Sequence, residues 1–369
     1  MILVFNVGSS TLKYALFSAD DDTQISRATI DVRDDADCDG AANKVLDEVD
    51  KAFGLANVRA IGHRLVHGGR RFRRAVVIDS TVRQSLGELI SLAPNHLPLE
   101  LRAVDTIARR SPHLTQVATF DTAFHSGMPV RARLFGLPRK VADAGVVRYG
   151  FHGLSYEYIV TTLQKAGDLP KRTIIAHLGN GASLAAVLDG KSVDTSMGMT
   201  PMGGVVMSKR AGDLDPGAVL FMLRALGFSG DDLERAVGKG GGLLGLSELD
   251  SDVRTLLHAQ KTNSRAADAL EVFVYQIRKF VGAYAAALGG LDLLVFTGGV
   301  GEHSAEIRGR ICDNLGFLGI AVDDTRNRGN AETISSEVSK VRVAVIPTNE
   351  ESMIAHHVRQ TLSAAGMAR

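Results

Sequence analysis

The chain has 369 residues, 45% of them hydrophobic, and 39 glycines, which leaves room for two domains with large cores and suits an α/β architecture. A net charge of +1 creates no global field toward nucleic acid or a membrane. Cys38 and Cys312 lie far apart, in no Cys-x-x-Cys arrangement and without His–Cys zinc spacing, which excludes a disulfide scaffold and a zinc site and fits a reducing cytoplasmic compartment.

The start, MILVFNVGSS, has no basic leader. The longest apolar run, Val281–Phe296, is broken by Asp292 and glycines and is too short for a bilayer. A soluble, cytoplasmic protein is expected. Ile2–Leu16 reads as strand, turn and strand, carrying Asn6, Ser9, Ser10 and Lys13. Asp20–Asp39 is acidic and expected as exposed strands and loops. Val45, Val49 and Phe53 at helical spacing predict a helix over Ala41–Phe53. Arg59–Val66 reads as a short strand entering a His-Gly-Gly turn. Arg70, Arg71, Arg73 and Arg74 form a basic cluster without interleaved aromatics, so they read as a solvated loop. Ser80–Leu92 is a helix ended by Pro94-Asn95-His96, and Leu99–Arg109 is another. The strand Gln116–Phe120 ends at Asp121, and ligands of α/β sheets gather at the carboxyl ends of strands. Arg131–Val147 is loop-rich and leads to Arg148-Tyr149-Gly150-Phe151-His152-Gly153, with a helix over Ser155–Lys165.

Ile174–Leu188 is a second hairpin, and Ser192–Thr195 continues its meander. Thr195–Pro216 is a long Gly- and Met-rich loop holding Arg210, Asp213 and Asp215; loops of such length in compact domains are usually functional. Gly217–Leu226, Asp231–Val237 and Asn263–Leu288 show the apolar spacing of core helices. Leu291–Phe296 is a buried strand that opens into Thr297-Gly298-Gly299-Val300-Gly301-Glu302-His303, with a helix starting near Ser304. Val341–Ile346 is the last strand, ending at Asn349-Glu350 before a final helix.

The two hairpins align by their turns: Asn6 lies over His177, Gly8 over Gly179, Ser9 over Asn180 and Ser10 over Gly181. Either alone is an ordinary Gly-rich turn between strands. Two copies half a chain apart imply two related domains facing each other across a ligand, and the matched polar residues point to phosphate. The unit Val295–Ile307 (strand, Gly-Gly-Val-Gly, helix) resembles a nucleotide-binding turn whose helix N–H groups meet an anion or ribose; it is neither a Walker A loop nor a dinucleotide fingerprint. Arg64 and Arg210 each stand beside a strand end, able to hold a carboxylate or phosphate through two hydrogen bonds. Asp121 and Glu350, with Asn6 nearby, suit Mg²⁺ held directly or through water. Of the histidines, His63, His67 and His125 read as hydrogen-bonded core residues, and His152 as the active-site candidate.

The motifs NVGSSTLKY (6–14), GHRLVHGG (62–69), FDTAFH (120–125), RYGFHGLSY (148–156), HLGNGAS (177–183), DTSMGMTP (194–201), KRAGDLDPG (209–217), VFTGGVGEHSAEIR (295–308) and IPTNEESMIA (346–355) run in order from end to end. With them the chain resembles the acetate kinase family, of the acetate and sugar kinase/actin/heat-shock chaperone ATPase superfamily. The resemblance implies two duplicated ribonuclease H-like, actin-like ATPase domains with an active-site cleft between them. The first would span 1–147, completed by the C-terminal helix 352–369. The second, 148–351, would carry most of the nucleotide site and a homodimer interface. It implies ATP and ADP as substrates, acetate or another short carboxylate as acceptor, Mg²⁺ with Mn²⁺ as substitute, and no nucleic-acid or membrane partner. Asn6 and Glu350 would serve the metal, and Ser10 and Lys13 the phosphates. Arg64 would bind the acyl carboxylate, Asp121 would be the essential acid, and His152 and Arg210 would stabilise the transferring phosphoryl group. His177, Leu178, Gly179, Asn180 and Gly181, then Asp252, Val253 and Arg254, then Gly299, Val300, Gly301, Glu302 and His303 would bind ATP. Val66, Phe151 and Pro201 would line the pocket for the alkyl end, with His96 also at the acceptor.

The chain departs from the family pattern at three places. Pro94-Asn95-His96-Leu97 stands for a Pro-Leu-His-Asn order, so Asn95 replaces an apolar pocket residue; His303 replaces an Asn near the adenosine site; and Asp252-Val253-Arg254 changes only its middle residue. These bear on acyl and nucleotide preference. A carboxylate acceptor is already an anion and needs no base, so the obstacle is repulsion from the γ-phosphate, about 4 kcal/mol for each pair of unit charges about 4 Å apart at an effective dielectric of about 20. Arg64, Arg210 and Mg²⁺ would offset it, giving direct in-line, reversible transfer. Propionate or butyrate kinase activity is the alternative within the family. A sugar or polyol kinase would use Asp121 as a base for a hydroxyl. An ATP-gated, chaperone- or actin-like binding protein is the alternative outside enzymes.

Overall fold

The computed structural model describes residues 1–8, 11–32 and 35–366. The chain forms two compact units. The first comprises Met1–Ser126, His152–Tyr158 and the chain from Asn349 on; the second comprises Gly127–Phe151 and Ile159–Thr348. Residues 127–147, expected with the first domain, cluster with the second unit. There the Arg148 N–H donates to the Arg133 carbonyl at 2.8 Å, and its Nη1 donates to the carbonyls of Thr195, Ser196 and Met197 at 2.9, 2.9 and 3.0 Å.

The sheet of the first unit contains β1 (Ile2–Val7), β2 (Thr11–Phe17), β3 (Gln24–Asp31), β4 (Ala60–Leu65), β5 (Val76–Val77) and β6 (Thr115–Phe120), in the spatial order β3-β2-β1-β4-β6-β5. The strands β1, β2 and β3 form an antiparallel meander; β1, β4 and β6 run parallel, and β5 closes the edge antiparallel. The sheet of the second unit contains β7 (Arg172–Leu178), β8 (Ala182–Leu188), β9 (Lys191–Thr195), β10 (Leu293–Thr297) and β11 (Arg342–Val345). Read from its other edge its order is β9-β8-β7-β10-β11, again an antiparallel meander followed by two parallel strands. The duplication seen in two hairpins therefore extends to whole sheets, the ribonuclease H-like pattern expected from the sequence.

Why β1 is apolar without alternation follows from what covers it. Leu3, Phe5 and Val7 pack with Cys38, Ala42, Val45 and Val49 of the helix Asp35–Phe53 and with Ala103 and Ile107 of the helix Leu97–Arg110. Ile2 and Val4, on the opposite face, pack with Ile354, Ala355 and Val358 of the last helix, Glu350–Ala364. The first of these helices starts at Asp35, before the expected Ala41, because Cys38 already belongs to the buried stripe. In the second unit the helix Ser264–Leu288 is capped by Asn263, which accepts from the Ala266 N–H at 3.1 Å, and closed by Gly289 at φ 69°. No helix among the described residues is long and apolar enough to cross a membrane.

Gly62 shows how tightly the last helix is seated. A Cβ there would lie 2.6 Å from Ile354 Cγ2 and 2.7 Å from Val358 Cγ2, so the strand needs a residue with no side chain at that point. Gly62→Ala is expected to destabilise the protein by about 1–3 kcal/mol, read as a lower urea midpoint. An unchanged midpoint would mean that the helix retreats without loss.

Candidate functional site

In the first unit, charged and polar groups collect where parallel strands end. Arg64 is the penultimate residue of β4, and Asp121 follows β6 directly. The register pairs Arg64 with Thr119 and Leu65 with Phe120, so the two side chains arise from neighbouring strand ends. Their contact is bidentate: Nε donates to Oδ1 at 3.2 Å and Nη2 to Oδ2 at 2.5 Å. Arg64 keeps 13% of its side chain exposed, while Asp121 and Glu100 keep 1% each, so Arg64 is the one of the three side chains with appreciable exposure. Burial pushes the Asp121 carboxyl up to about 6, although Arg64 pulls it down. For Arg64 burial acts against the charge, yet Asp121, Glu350 and Glu100 more than offset it, and its pKa is raised.

His152 joins this group through backbone. Its N–H donates to the Asp121 carboxylate, and it sits at a left-handed φ of 56°. The Gly153 N–H donates to the Asp121 carbonyl at 2.9 Å, and a Cβ on Gly153 would fall 2.1 Å from that oxygen, so the Gly after His152 is required by this approach. Asn6, near the end of β1, donates from Nδ2 to Glu350 Oε2 at 3.2 Å and to Glu351 Oε1 at 2.9 Å. Those glutamates open the last helix, whose N-cap Asn349 accepts from the Ser352 N–H at 2.9 Å. Lys13 lies opposite Asn6 in the β1–β2 register with an exposed side chain. Ser9 and Ser10 lie outside the described residues. Val66 is buried just past β4, His96 is the N-cap of the helix Leu97–Arg110, and Asn95 is exposed.

The histidines expected in the core are there: His63, His67 and His125 are buried. Burial lowers His63 to about 4, so it is neutral beside Gln116 Oε1 at 2.7 Å. Sequence reasoning missed Glu100 and Glu351. Glu351 adjoins a residue already singled out. Glu100 had a legible signal, because it falls within the apolar stripe Leu97, Leu101 and Val104 of its helix.

In the second unit, β7 and β10 are parallel neighbours, with His177 paired to Thr297. The turn after β7 is closed by the Gly179 N–H to the Gly181 carbonyl at 2.9 Å, and the Asn180 carbonyl accepts from the Ser208 N–H at 3.3 Å. After β10 the Gly-Gly-Val-Gly-Glu-His segment is itself a short helix, Gly298–His303, rather than a loop leading to one. Gly298 takes φ 75°, and a Cβ there would stand 2.8 Å from the Leu178 carbonyl oxygen, so this turn lies directly against the end of β7. The Glu302 carboxylate accepts from the N–H groups of Gly298 at 2.8 Å and Thr348 at 3.2 Å, joining the ends of β10 and β11. Arg308, fully buried, donates from Nη1 to the carbonyls of Gly301 and Glu302, each at 2.9 Å. Sequence reasoning quoted Arg308 within a motif but gave it no role.

Gly299 and His303 are exposed, Val300 is half-buried, and Leu178 is buried. Asp252 caps the helix Val253–Ala259 and holds the Arg254 guanidinium at 2.6 Å. Arg210 donates from Nη1 to the Pro201 carbonyl at 3.1 Å, which ties the Met-rich loop to itself. Phe151 and Pro201 are buried and also group with the second unit. Among the described residues no group of three or more His, Cys, Asp or Glu is arranged to hold a metal ion.

A family model described as the Acetokinase family matches residues 23–356. An acetate kinase from Natranaerobius thermophilus is 39% identical, over 98% of this chain and 99% of its own length. The crystal structure of Porphyromonas gingivalis acetate kinase gives a TM-score of 0.87 at 37% identity, covering 98% of this chain and 99% of that one. A propionate kinase structure from Francisella tularensis gives 0.90 at 34% identity, covering 96% and 98%.

Glu100 offers a test of the first unit's electrostatics. Burial pushes its carboxyl from 4.5 up to about 8, against the pull of Arg64 and the Val66 N–H. Because the native state holds this proton more tightly than the unfolded chain, the stability it contributes is full below about pH 4.5 and lost as pH rises through about 8. Glu100→Gln cannot ionise. Its Tm relative to the parent protein is expected to rise from about pH 5 to about pH 8 and to level off above that. A difference that stays constant between about pH 5 and about pH 8 would contradict the buried, proton-holding carboxyl.

Proposed function

The chain belongs to the acetokinase family, and from that premise we propose that it is an acetate kinase, transferring a phosphoryl group reversibly between ATP and acetate to give acetyl phosphate and ADP. The observation that carries the choice of acceptor is the Arg64–Asp121 pair, a guanidinium held by two hydrogen bonds on a side chain that keeps 13% of its surface exposed. An acceptor carboxylate needs a fixed positive charge more than it needs a base, since it is ionised at neutral pH. At about 4 Å and an effective dielectric of about 20, its repulsion from each phosphate charge is about 4 kcal/mol, and positioned cations offset it.

In this reading Arg64 binds the acceptor carboxylate, and Asp121 holds Arg64 and leaves the substrate's protons alone. His152 and Arg210 stabilise the phosphoryl group in transfer. Val66, Phe151 and Pro201 are the residues assigned to the alkyl end, and His96 to the acceptor. Lys13 and Ser10 meet phosphates. The turn His177–Gly181, the segment Asp252-Val253-Arg254 and the helix turn Gly299–His303 take the nucleotide, and Arg308 fixes the carbonyls of that last turn. The strand-end position of these turns supports the assignment.

A divalent ion fits the first unit's donors. Asn6, Glu350 and Glu351 are hard oxygen donors already gathered by hydrogen bonds. Mg²⁺ is commonly held by one or two carboxylates together with substrate phosphates, so a complete protein cage is not required. When bound, the ion would neutralise phosphate charge. Asn6 and Glu350 would hold it, and the amide of Asn6 keeps the Glu350 carboxylate oriented.

A homodimer is also part of this proposal. The helix Pro216–Arg224 has no buried residue, and Leu220, Phe221 and Leu223 on it, with Leu214 and Leu226 at its flanks, expose large apolar side chains. Such a surface on one unit suits association with a second copy.

The test is acyl phosphate formation from acetate, propionate and butyrate with ATP, trapped by hydroxylamine. Acetate is expected to give the highest kcat/KM. A lead for propionate would move the chain to the specificity of the Francisella tularensis relative. Phosphorylation of an alcohol alone would overturn the role of Arg64. Asp121→Asn is expected to lower kcat/KM for acetate by about 100-fold or more, as loss of a charged pair holding a catalytic cation should. Turnover within a few-fold of the parent enzyme would remove Asp121 from the mechanism.

A further inference from the structure

Glu100 has no place in that scheme, yet its surroundings are specific. It lies in the first turn of the helix Leu97–Arg110 with 1% of its side chain exposed. One oxygen, Oε2, accepts from the Val66 N–H at 2.9 Å. The other, Oε1, has no hydrogen-bond partner among the described residues and stands 3.9 Å from Arg64 Nη1. Asp121 takes the Nε and Nη2 side of the same guanidinium. The side chain of Glu100 therefore meets both Arg64 and the backbone of Val66, the residues just proposed to hold the acceptor's carboxylate and to line its alkyl end.

We propose that Glu100 is a positioning residue for the acceptor: it fixes the free edge of the Arg64 guanidinium and the backbone of Val66 together, and so sets the distance between the charge and the apolar wall that select a short carboxylate. The inference rests on the acceptor roles given above to Arg64 and Val66. Asp121 holds the guanidinium along one edge only, and the Glu100 oxygen 3.9 Å from Nη1 stands against the other. Val66 follows β4 by one residue, and its N–H would otherwise be a buried donor without a partner. A neutral carboxyl at this place is well suited to the task. It occupies the volume and accepts the N–H without cancelling the positive charge that the acceptor requires.

The experiment compares Glu100→Met with Glu100→Gln. Met fills a similar volume but accepts no hydrogen bond from Val66; Gln keeps shape and acceptor. For each, KM and kcat are measured with acetate, with propionate and with ATP. Glu100→Met is expected to raise KM for acetate about tenfold, to shift the acetate-to-propionate ratio of kcat/KM at least threefold, and to leave KM for ATP within twofold. Glu100→Gln is expected to restore all three to within about twofold of the parent enzyme. A carboxyl that only stabilises the core would move none of these constants selectively. The inference is overturned if Glu100→Met leaves KM for acetate within twofold, if KM for ATP rises in parallel, or if Glu100→Gln is as impaired as Met. Should Glu100→Met not fold, Glu100→Asp, one methylene short of Val66, carries the same expectation and the same overturning results. A parent enzyme that phosphorylates no short carboxylate would instead overturn the acetate kinase reading itself, which these variants leave untouched.

Discussion

The bidentate contact between Arg64 and Asp121 is the interaction around which the first unit's buried polar groups are arranged. It exists because two parallel strands, β4 and β6, end side by side, and because each carries its charged residue within a residue or two of that end. In the middle of the sheet the same pair would be sealed between helices. At the strand ends one partner stays buried and the other reaches solvent, so the buried carboxylate orients a cation that remains available. The surrounding groups follow from this choice. His152 is bent into a left-handed conformation to bring its N–H to Asp121, and Gly153 must be glycine because the chain passes within contact of the Asp121 carbonyl. Strain of this kind is tolerated only where several contacts fix it at once.

Apart from the extra edge strand β5, the two sheets share strand order and direction, yet their strand ends are furnished differently. The first unit ends β4 and β6 in side-chain charge. The second ends β7 and β10 in glycine-rich backbone, with the Glu302 carboxylate tying two strand ends together. Even the paired hairpins diverge: Val7 pairs with Leu12 and Leu178 with Ala182, so the first turn is one residue longer. A fixed charge suits a small anion whose position must be set by one or two contacts. A row of backbone donors suits an extended anion such as a nucleotide's phosphates. A duplicated scaffold thus keeps its core and specialises its edges.

Much of this was legible in the residues. Strands whose cores are Ile2–Phe5 and Ile174–Ala176 announce themselves by unbroken apolar runs, and the polar residue that follows each, Asn6 or His177, marks the place where a ligand would lie. The repeated hairpin even foretold the duplication. Less was legible where partners meet through topology. Glu100 lies 34 positions after Val66 in the chain, with β5 and the helix Ser80–Gly87 between, and no local pattern states that these segments converge. Yet a carboxylate within an apolar helical stripe is a local inconsistency, and such inconsistencies tend to mark function. The early start of the helix at Asp35 was hidden for the opposite reason: an acidic run reads as a loop until Cys38 and Ala42 are seen to pack.

Two arginines make the final contrast. Arg308 is fully buried and surrounded by neutral acceptors: the carbonyls of Gly301, Glu302 and Asn327, and the side chains of Asn327 and Asn330. Burial lowers its pKa, and every direction of its guanidinium is occupied, so it works as a rigid clamp on the turn after β10. Arg64 is faced by acids, and its pKa is raised in spite of burial. Were all of Asp121, Glu100 and Glu350 ionised, that guanidinium would be surrounded by more negative charge than it carries, and an incoming carboxylate would be repelled. Burial lessens this excess by keeping the proton on Glu100 up to about pH 8. The same desolvation that makes a clamp of one arginine thus leaves the other with charge to offer, and the difference lies in whether the neighbours are carbonyls or carboxyls.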